Sequence, residues 1–374
     1  MHSEELAQAS RLQATAFTRQ RKLPFPLLLS TILACMSSNV HAELMAFFAK
    51  AFTLLNQRLL QQTTTFTPRW QGLRLVAADA SFLCLPARQI GSTQKLNAAA
   101  FALYLPGAEL TLSAELYLPS VGERQMLFEH LEHVQADDLL LLEGYPSRWL
   151  AAVLSQRQRY FCIRVDQWSY TAAKTLLRSE QTELIATLSA PNKQDALDYE
   201  CQRIPTQVRF VKTICPNGTI RVVMTNLLDT ERYPAAVFSG LYHQRWRIEE
   251  AFKRLKHRLH LESVTGDNWL AAQQDFGAKI VADNLHSLCV ATSATMLPAP
   301  VENGCCYKIN RAIALSILKR CLPAVLLKKP RAITRLKLAL NELCKAVIYF
   351  DPHAKKDRPK HPKPHDFTAY KSGV

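Results

Sequence analysis

With 374 residues, 48% of them apolar, the chain can bury one large core or two ordinary ones, which excludes an intrinsically unfolded polymer. Its 46 Lys and Arg against 31 Asp and Glu give a formal charge of +15, which suits a polyanion such as nucleic acid or an acidic membrane surface. The ten cysteines lack CxxC spacing and read as reduced thiols, and the 11 glycines form no Walker loop or dinucleotide fingerprint, which argues against zinc ribbons and nucleotide hydrolysis.

Residues 1–70 read as a helical N-terminal region, because LMAFFAKAFTLLNQRLL repeats its apolar residues at spacings of three and four. The run Leu23 to Met36, with basic residues before it and V-H-A ending at Ala42, has the outline of an export signal. Its leader is long and carries Glu4 and Glu5, and the run is too short to span a bilayer, so a cytoplasmic protein is expected.

In RLVAADASFLCLP (74–86) a buried strand carries Asp79, an acid that would be costly to bury without a purpose. Strand-like runs follow at FALYLP (101–106), LSAELYLP (112–119), LLLL (139–142) and FCIRV (161–165), with a helix expected over VGERQMLFEHLEHV. That helix carries His130 and His133 at a metal-compatible spacing, although an outward polar face is the ordinary reading of such a pair. Residues 151–235 read as a β-rich insertion, with an Asn217-Gly218 turn joining its last two strands. Residues 276–348 read as several apolar helices broken around Pro298, Pro300 and Gly304, and the tail 351–374 as basic and poorly ordered.

The clearest helix covers 240–261. Leu241, Ile248, Phe252, Leu255 and Leu259 form one apolar stripe, so the helix packs on a core. At about 100° per residue, Tyr242, Arg245, Glu249 and Lys256 share an arc of roughly 60° beside that stripe, with Lys253 one turn beyond Glu249. By periodicity alone this is an ordinary solvated, salt-bridged face.

The spacing Tyr242, two residues, Arg245, three residues, Glu249, six residues, Lys256 resembles the Y-x2-R-x3-E-x6-K signature of the insertion-sequence-four family of DDE transposases. The similarity extends over TNLLDTERYPAAVFSGLYHQRWRIEEAFKRLKHRLHLESVTG (225–266). It implies an α/β, ribonuclease-H-like catalytic core in two parts, 71–150 and 236–290, split by the β-rich insertion and flanked by a helical N-terminal DNA-binding region, 1–70, and a helical, basic C-terminal region, 291–350. It implies two Mg2+ or Mn2+ ions held by three carboxylates, of which Glu249 is the last and Asp79, followed by Ala and Ser, resembles the first. Tyr242, Arg245, Lys253 and Lys256 are then expected at DNA phosphates.

The second acid departs from the pattern. The family motif reads apolar residues, Asp, one residue, Gly and an aromatic, whereas LLLLEGYPSRWL keeps Gly144 and Tyr145 but puts Leu142 where Asp is expected. Glu143 is the nearest carboxylate, one residue late, and a bulge or turn is expected to re-aim it toward the others. The short stretch between LMAFFAKAF and the Asp79 strand also leaves less chain than a full helical DNA-binding module requires, which marks the element as truncated or decayed.

The resemblance implies double-stranded DNA partners, the terminal inverted repeats and a target, bound by a homodimer in a nucleoid-associated, non-membrane setting. Lys319, Arg320, Lys328, Lys329, Arg331, Arg335 and Lys337 stand without an intervening acid and suit phosphate contacts. Trp149 and Trp246 are aromatic groups able to stack on an extruded base, with core packing the ordinary alternative. Three functional readings stay open, the first two being a transposase that cuts and joins DNA and a catalytically inactive DNA-binding remnant of one. A sequence-specific nuclease or regulator on the same fold is a third.

Overall fold

The computed structural model describes residues 49–63, 67–88, 95–144, 147–215, 218–264, 266, 268–300, 304–351 and 354. The readings made for residues 1–48 and for the tail beyond 354, together with Tyr145 and Asn217, lie outside the described residues.

The fold is mixed α/β, as expected. Among the described residues its central sheet has nine strands: β1 (Arg69–Trp70), β2 (Leu73–Arg88), β3 (Lys95–Leu105), β4 (Leu110–Tyr117), β5 (Asp138–Glu143), β6 (Tyr160–Val165), β7 (Glu183–Leu188), β8 (Thr206–Ile214) and β9 (Ile220–Thr225). The order across it is β4-β3-β2-β5-β6-β9-β8-β7, with β1 pairing to β2. β2, β5 and β6 run parallel, and β9, β8 and β7 continue antiparallel beyond them. The strands of the β-rich segment therefore extend the sheet that carries Asp79.

A parallel strand inside a covered sheet is buried on both faces and reads as an unbroken apolar run. β5 is such a strand, and Leu139 to Leu142 are all fully buried. Its start is pinned by Arg74, whose guanidinium forks onto the Asp138 carboxylate at 2.6 and 2.7 Å, while the Gln135 amide donates to the same carboxylate. Arg74 and Asp138 are also register partners, so one buried ion pair aligns β2 with β5. At the other end of the sheet, Gly218 adopts a left-handed φ of 80° in the β8–β9 turn, where a glycine is the residue that tolerates it.

The described residues fall into two compact units. The first comprises those of Thr63–Phe82 and Ala99–Lys253, the second those of Met1–Gln62, Leu83–Ala98 and Arg254–Val374. In the first, the sheet, apart from β2 beyond Phe82 and β3 before Ala99, is accompanied by α2 (Glu123–Glu129), α3 (Arg148–Gln156), α4 (Thr171–Arg178), α5 (Lys193–Asp198) and α6 (Val237–His243). α7 (Trp246–Arg258) begins in this unit. The second contains α1 (Ala49–Gln61), α8 (Trp269–Ala294), α9 (Arg311–Leu326) and α10 (Ala332–Lys345), whose core includes Val290, Leu318 and Leu343. An all-helical 276–348 is corrected there: Cys306–Ile309 (β10) and Val347–Phe350 (β11) pair antiparallel. Aromatic and β-branched residues such as Tyr307, Ile309, Val347 and Tyr349 favour such a ribbon over helix. α8 buries Lys279, whose ammonium donates to the carbonyls of His260 and Ser263, and Asp283, which takes a forked pair from Arg254. Among the described residues no helix is long and apolar enough to cross a membrane.

Candidate active site

The expected single helix over 240–261 is two helices, α6 and α7, joined by a tight turn. Across it the amides of Gln244, Arg245, Arg247 and Ile248 each bond the carbonyl three residues back rather than four. At three residues per turn, side chains three apart eclipse one another, so Arg245 stacks over Tyr242 more directly than a regular helix would allow. The Arg245 guanidinium lies 6.0 Å from the Tyr242 ring. The apolar stripe behaves as expected, with Leu241, Ile248, Phe252, Leu255 and Leu259 all buried. Arg245 and Tyr242 are buried as well, 2% and 4% exposed, and so belong to the core side of these helices rather than to its margin.

Arg245 is the meeting point of three carboxylates. Its guanidinium pairs with Glu249 at 2.6 Å, with Asp79 at 3.8 Å, and with Glu143 in close contact. Asp79 sits partway along β2, and Glu143 is the last residue of β5. Glu249 is in the first turn of α7, where the helix dipole favours a negative charge. The start of α7 is tethered by an ion pair from Arg247 to Glu109 at 2.9 Å, in the β3–β4 turn.

The re-aiming of Glu143 expected from a bulge or turn is supplied by the register of β5 on β2. Leu75 pairs with Leu139 and Ala77 with Leu141, so continuing two residues sets Glu143 opposite Asp79 on the same face of the sheet. Leu142, at the position where the resemblance calls for Asp, is fully buried, and its carbonyl accepts a 3.4 Å hydrogen bond from the Tyr242 hydroxyl. Gly144 follows with a left-handed φ of 73°, turning the chain away directly after the acid.

Sequence reasoning missed Arg164. It is the β6 register partner of Glu143 and pairs with it at 3.0 Å. The available signal was a lone arginine inside the apolar run FCIRV, a residue seldom buried without a carboxylate partner.

The electrostatics follow from burial. The Asp79 carboxyl is pushed up to about 6, chiefly because it is buried; Arg245 opposes the shift, and Glu123 and Glu249 add to it. Burial, reinforced by Glu143, lifts the Tyr242 phenol well above its usual range, which leaves a neutral hydroxyl suited to hydrogen bonding rather than proton transfer. Burial works against the charge on Arg245, yet Tyr242 and the three carboxylates outweigh it, and the guanidinium is held above its ordinary value.

The remaining expected site residues are placed less centrally. Lys253 is exposed. Lys256 falls in the other unit, where burial lowers its pKa against the pull of Glu262. Trp149 is buried and stacks on Tyr199 with ring centroids 3.5 Å apart, which makes it a core residue. Trp246 is 41% exposed and, with Tyr242, His243, Arg221 and Ile214, lines a cavity of about 260 Å3. His130 is buried with Nδ1 2.8 Å from the Ser113 hydroxyl, and burial lowers it to about 4, so it serves the core as a neutral ring.

Three carboxylates facing one cation are the donors a hard divalent ion prefers, so the residue types fit such an ion. Among the described residues, no three acidic, histidine or cysteine side chains stand arranged around a vacant ion position. The Arg245 guanidinium lies between the three acids instead.

A family model described as a transposase DDE domain matches residues 70–285, a span that includes Asp79, Glu143, Arg245 and Glu249. No curated protein matches the chain. Among solved structures the chain is similar to the piggyBac transposase in a synaptic complex with hairpin DNA, at 11% identity over 91% of this chain and 80% of that one, with a TM-score of 0.44.

Proposed function

Because this chain belongs to the transposase DDE-domain family, we propose that it cuts the ends of an insertion sequence and joins the freed 3′-hydroxyls to target DNA. The observation that carries this reading is the convergence of Asp79, Glu143 and Glu249 on one buried guanidinium. The Y-x2-R-x3-E-x6-K spacing narrows the family to the insertion-sequence-four branch.

In this reading Asp79, Glu143 and Glu249 hold two divalent ions, Mg2+ or Mn2+, which when bound supply Lewis-acid charge at the scissile phosphodiester. Arg164 keeps Glu143 aimed at the site face. Arg245 neutralises charge gathering on the phosphate, and Tyr242, fixed by its bond to the Leu142 carbonyl, presents that arginine and orients the DNA backbone. Lys253 and Lys256 extend the phosphate track along α7. In the first step water attacks phosphorus and the 3′-oxygen leaves; in the second that 3′-hydroxyl attacks a target phosphodiester in line, and the target strand's own 3′-oxygen leaves as its hydroxyl. A homodimer bridging two ends provides both reactive termini. The exposed bases Arg320, Lys328, Lys329, Arg331, Arg335 and Lys337 supply further phosphate contacts.

Leu142 at the expected second-acid position favours one other reading, an inactive DNA-binding remnant. The two are separated by incubating the full chain and Mg2+ with duplex DNA bearing the terminal repeats that flank its gene, with Glu249→Ala as control. Strand cleavage by wild type and none by the variant is expected. Specific binding without cleavage establishes the remnant.

A further inference from the structure

Arg245 is expected at a DNA phosphate, yet its side chain is buried and committed to the three carboxylates. That commitment is incomplete. The Arg245 Nε–H is buried without an acceptor, and the contact to Asp79 stretches to 3.8 Å while that to Glu249 is 2.6 Å. A guanidinium offers five donors in a rigid fork, and a buried donor left unpaired has lost its water with no return. A phosphate, with several acceptor oxygens and a charge of its own, is a better partner for that fork. The acids differ in what else holds them: Glu143 keeps a second cation, Arg164, on the neighbouring strand.

We propose that Arg245 is an exchangeable internal cation that fills the space among Asp79, Glu143 and Glu249 until divalent ions and a DNA phosphate divide its partners between them, so that ion and DNA binding favour each other. The inference rests on the two-ion reading above. Ions and guanidinium compete for the same carboxylate oxygens, and like charges repel at this range. A phosphate that draws Arg245 away removes the competitor. Linkage then requires that ions strengthen DNA binding by the same factor as DNA strengthens ion binding.

The test is a Mn2+ titration of the full chain, followed by the electron spin resonance of free Mn2+, with and without a duplex carrying the sequence that flanks its gene. For wild type, DNA is expected to lower the Mn2+ Kd about tenfold, within the ordinary range of coupling between sites. For Arg245→Gln, the DNA-free protein is expected to bind Mn2+ about tenfold more tightly than wild type, with little further change when DNA is added. Removing a positive charge would by itself tighten Mn2+ binding, so the loss of coupling is the diagnostic result. Should Arg245→Gln fold poorly in a thermal melt, Arg245→Lys, which keeps the charge without the fork, is expected to show reduced coupling at near-wild-type affinity. Full coupling retained in a folded variant overturns the exchange and leaves the two-ion reading intact. Failure of wild type to bind Mn2+ with or without DNA overturns both.

Discussion

Asp79 illustrates what a buried carboxylate costs a single residue. Folding raises its pKa from 3.8 to about 6, so between those values the folded chain binds more protons than the unfolded one. Stability contributed by this group therefore falls as pH climbs through that window and stays reduced above it. Asp79→Asn is expected to be more stable than wild type near pH 7, by about 1 to 2 kcal/mol once partial exposure is discounted, and equal to it near pH 3. Thermal melts at both pH values check this, and equal melting near pH 7 would refute a buried, penalised carboxylate. Glu143 and Leu142 offer a second contrast. Glu143→Gln is expected to abolish cleavage while preserving DNA binding, whereas Leu142→Asp, which nominally restores the family motif, buries an unpaired charge in β5. The latter is expected to lose about 3 kcal/mol or more of stability in denaturant titrations. A stable Leu142→Asp variant with raised cleavage would instead identify position 142 as the working second acid.

At the scale of elements, two features place the acids. The Arg74–Asp138 pair fixes the alignment of β2 with β5, and Asp79 and Glu143 inherit their proximity from it. Asp138→Asn leaves a buried guanidinium short of charge and is expected to cost about 3 to 5 kcal/mol, read from the denaturant midpoint. A loss below about 1 kcal/mol would mean that the register is held elsewhere. The tightened turn between α6 and α7 then swings Arg245 over Tyr242 and onto the acids. Arg209 supports this from below: fully buried on β8, it donates to the carbonyls of Leu227 and Tyr233 and lies over the Phe238 ring, on the helix that carries Tyr242.

For the whole molecule the governing quantity is charge. A formal +15, with exposed bases on α9 and α10 and in the connection between them, predicts DNA binding dominated by counterion release. Affinity is expected to fall steeply between low and physiological salt, and a Lys328→Gln, Lys329→Gln, Arg331→Gln variant should reduce the slope of log Kd against log salt by up to about 3, one per lost phosphate contact. Fluorescence anisotropy over a salt series measures it. An unchanged slope would remove this segment from the DNA path.

What was legible in sequence was local. Apolar runs marked β2 to β9, the 3.6-residue stripe marked the buried side of α7, and the Tyr242, Arg245, Glu249, Lys256 spacing pointed to the family, because each of these patterns is complete within a short window of chain. The ribbon of β10 and β11 escaped notice because its two strands are separated by two helices and pair only in space. The tertiary structure alone decided which acid faces Asp79. Strand faces alternate with period two, but which faces coincide depends on the register between β2 and β5, elements joined by Arg74 and Asp138 across 64 residues of chain. The same register brings Arg164 to Glu143, and the three-residue hydrogen bonding after Tyr242 carries Arg245 into the acidic cluster, an outcome that a uniform helical projection conceals.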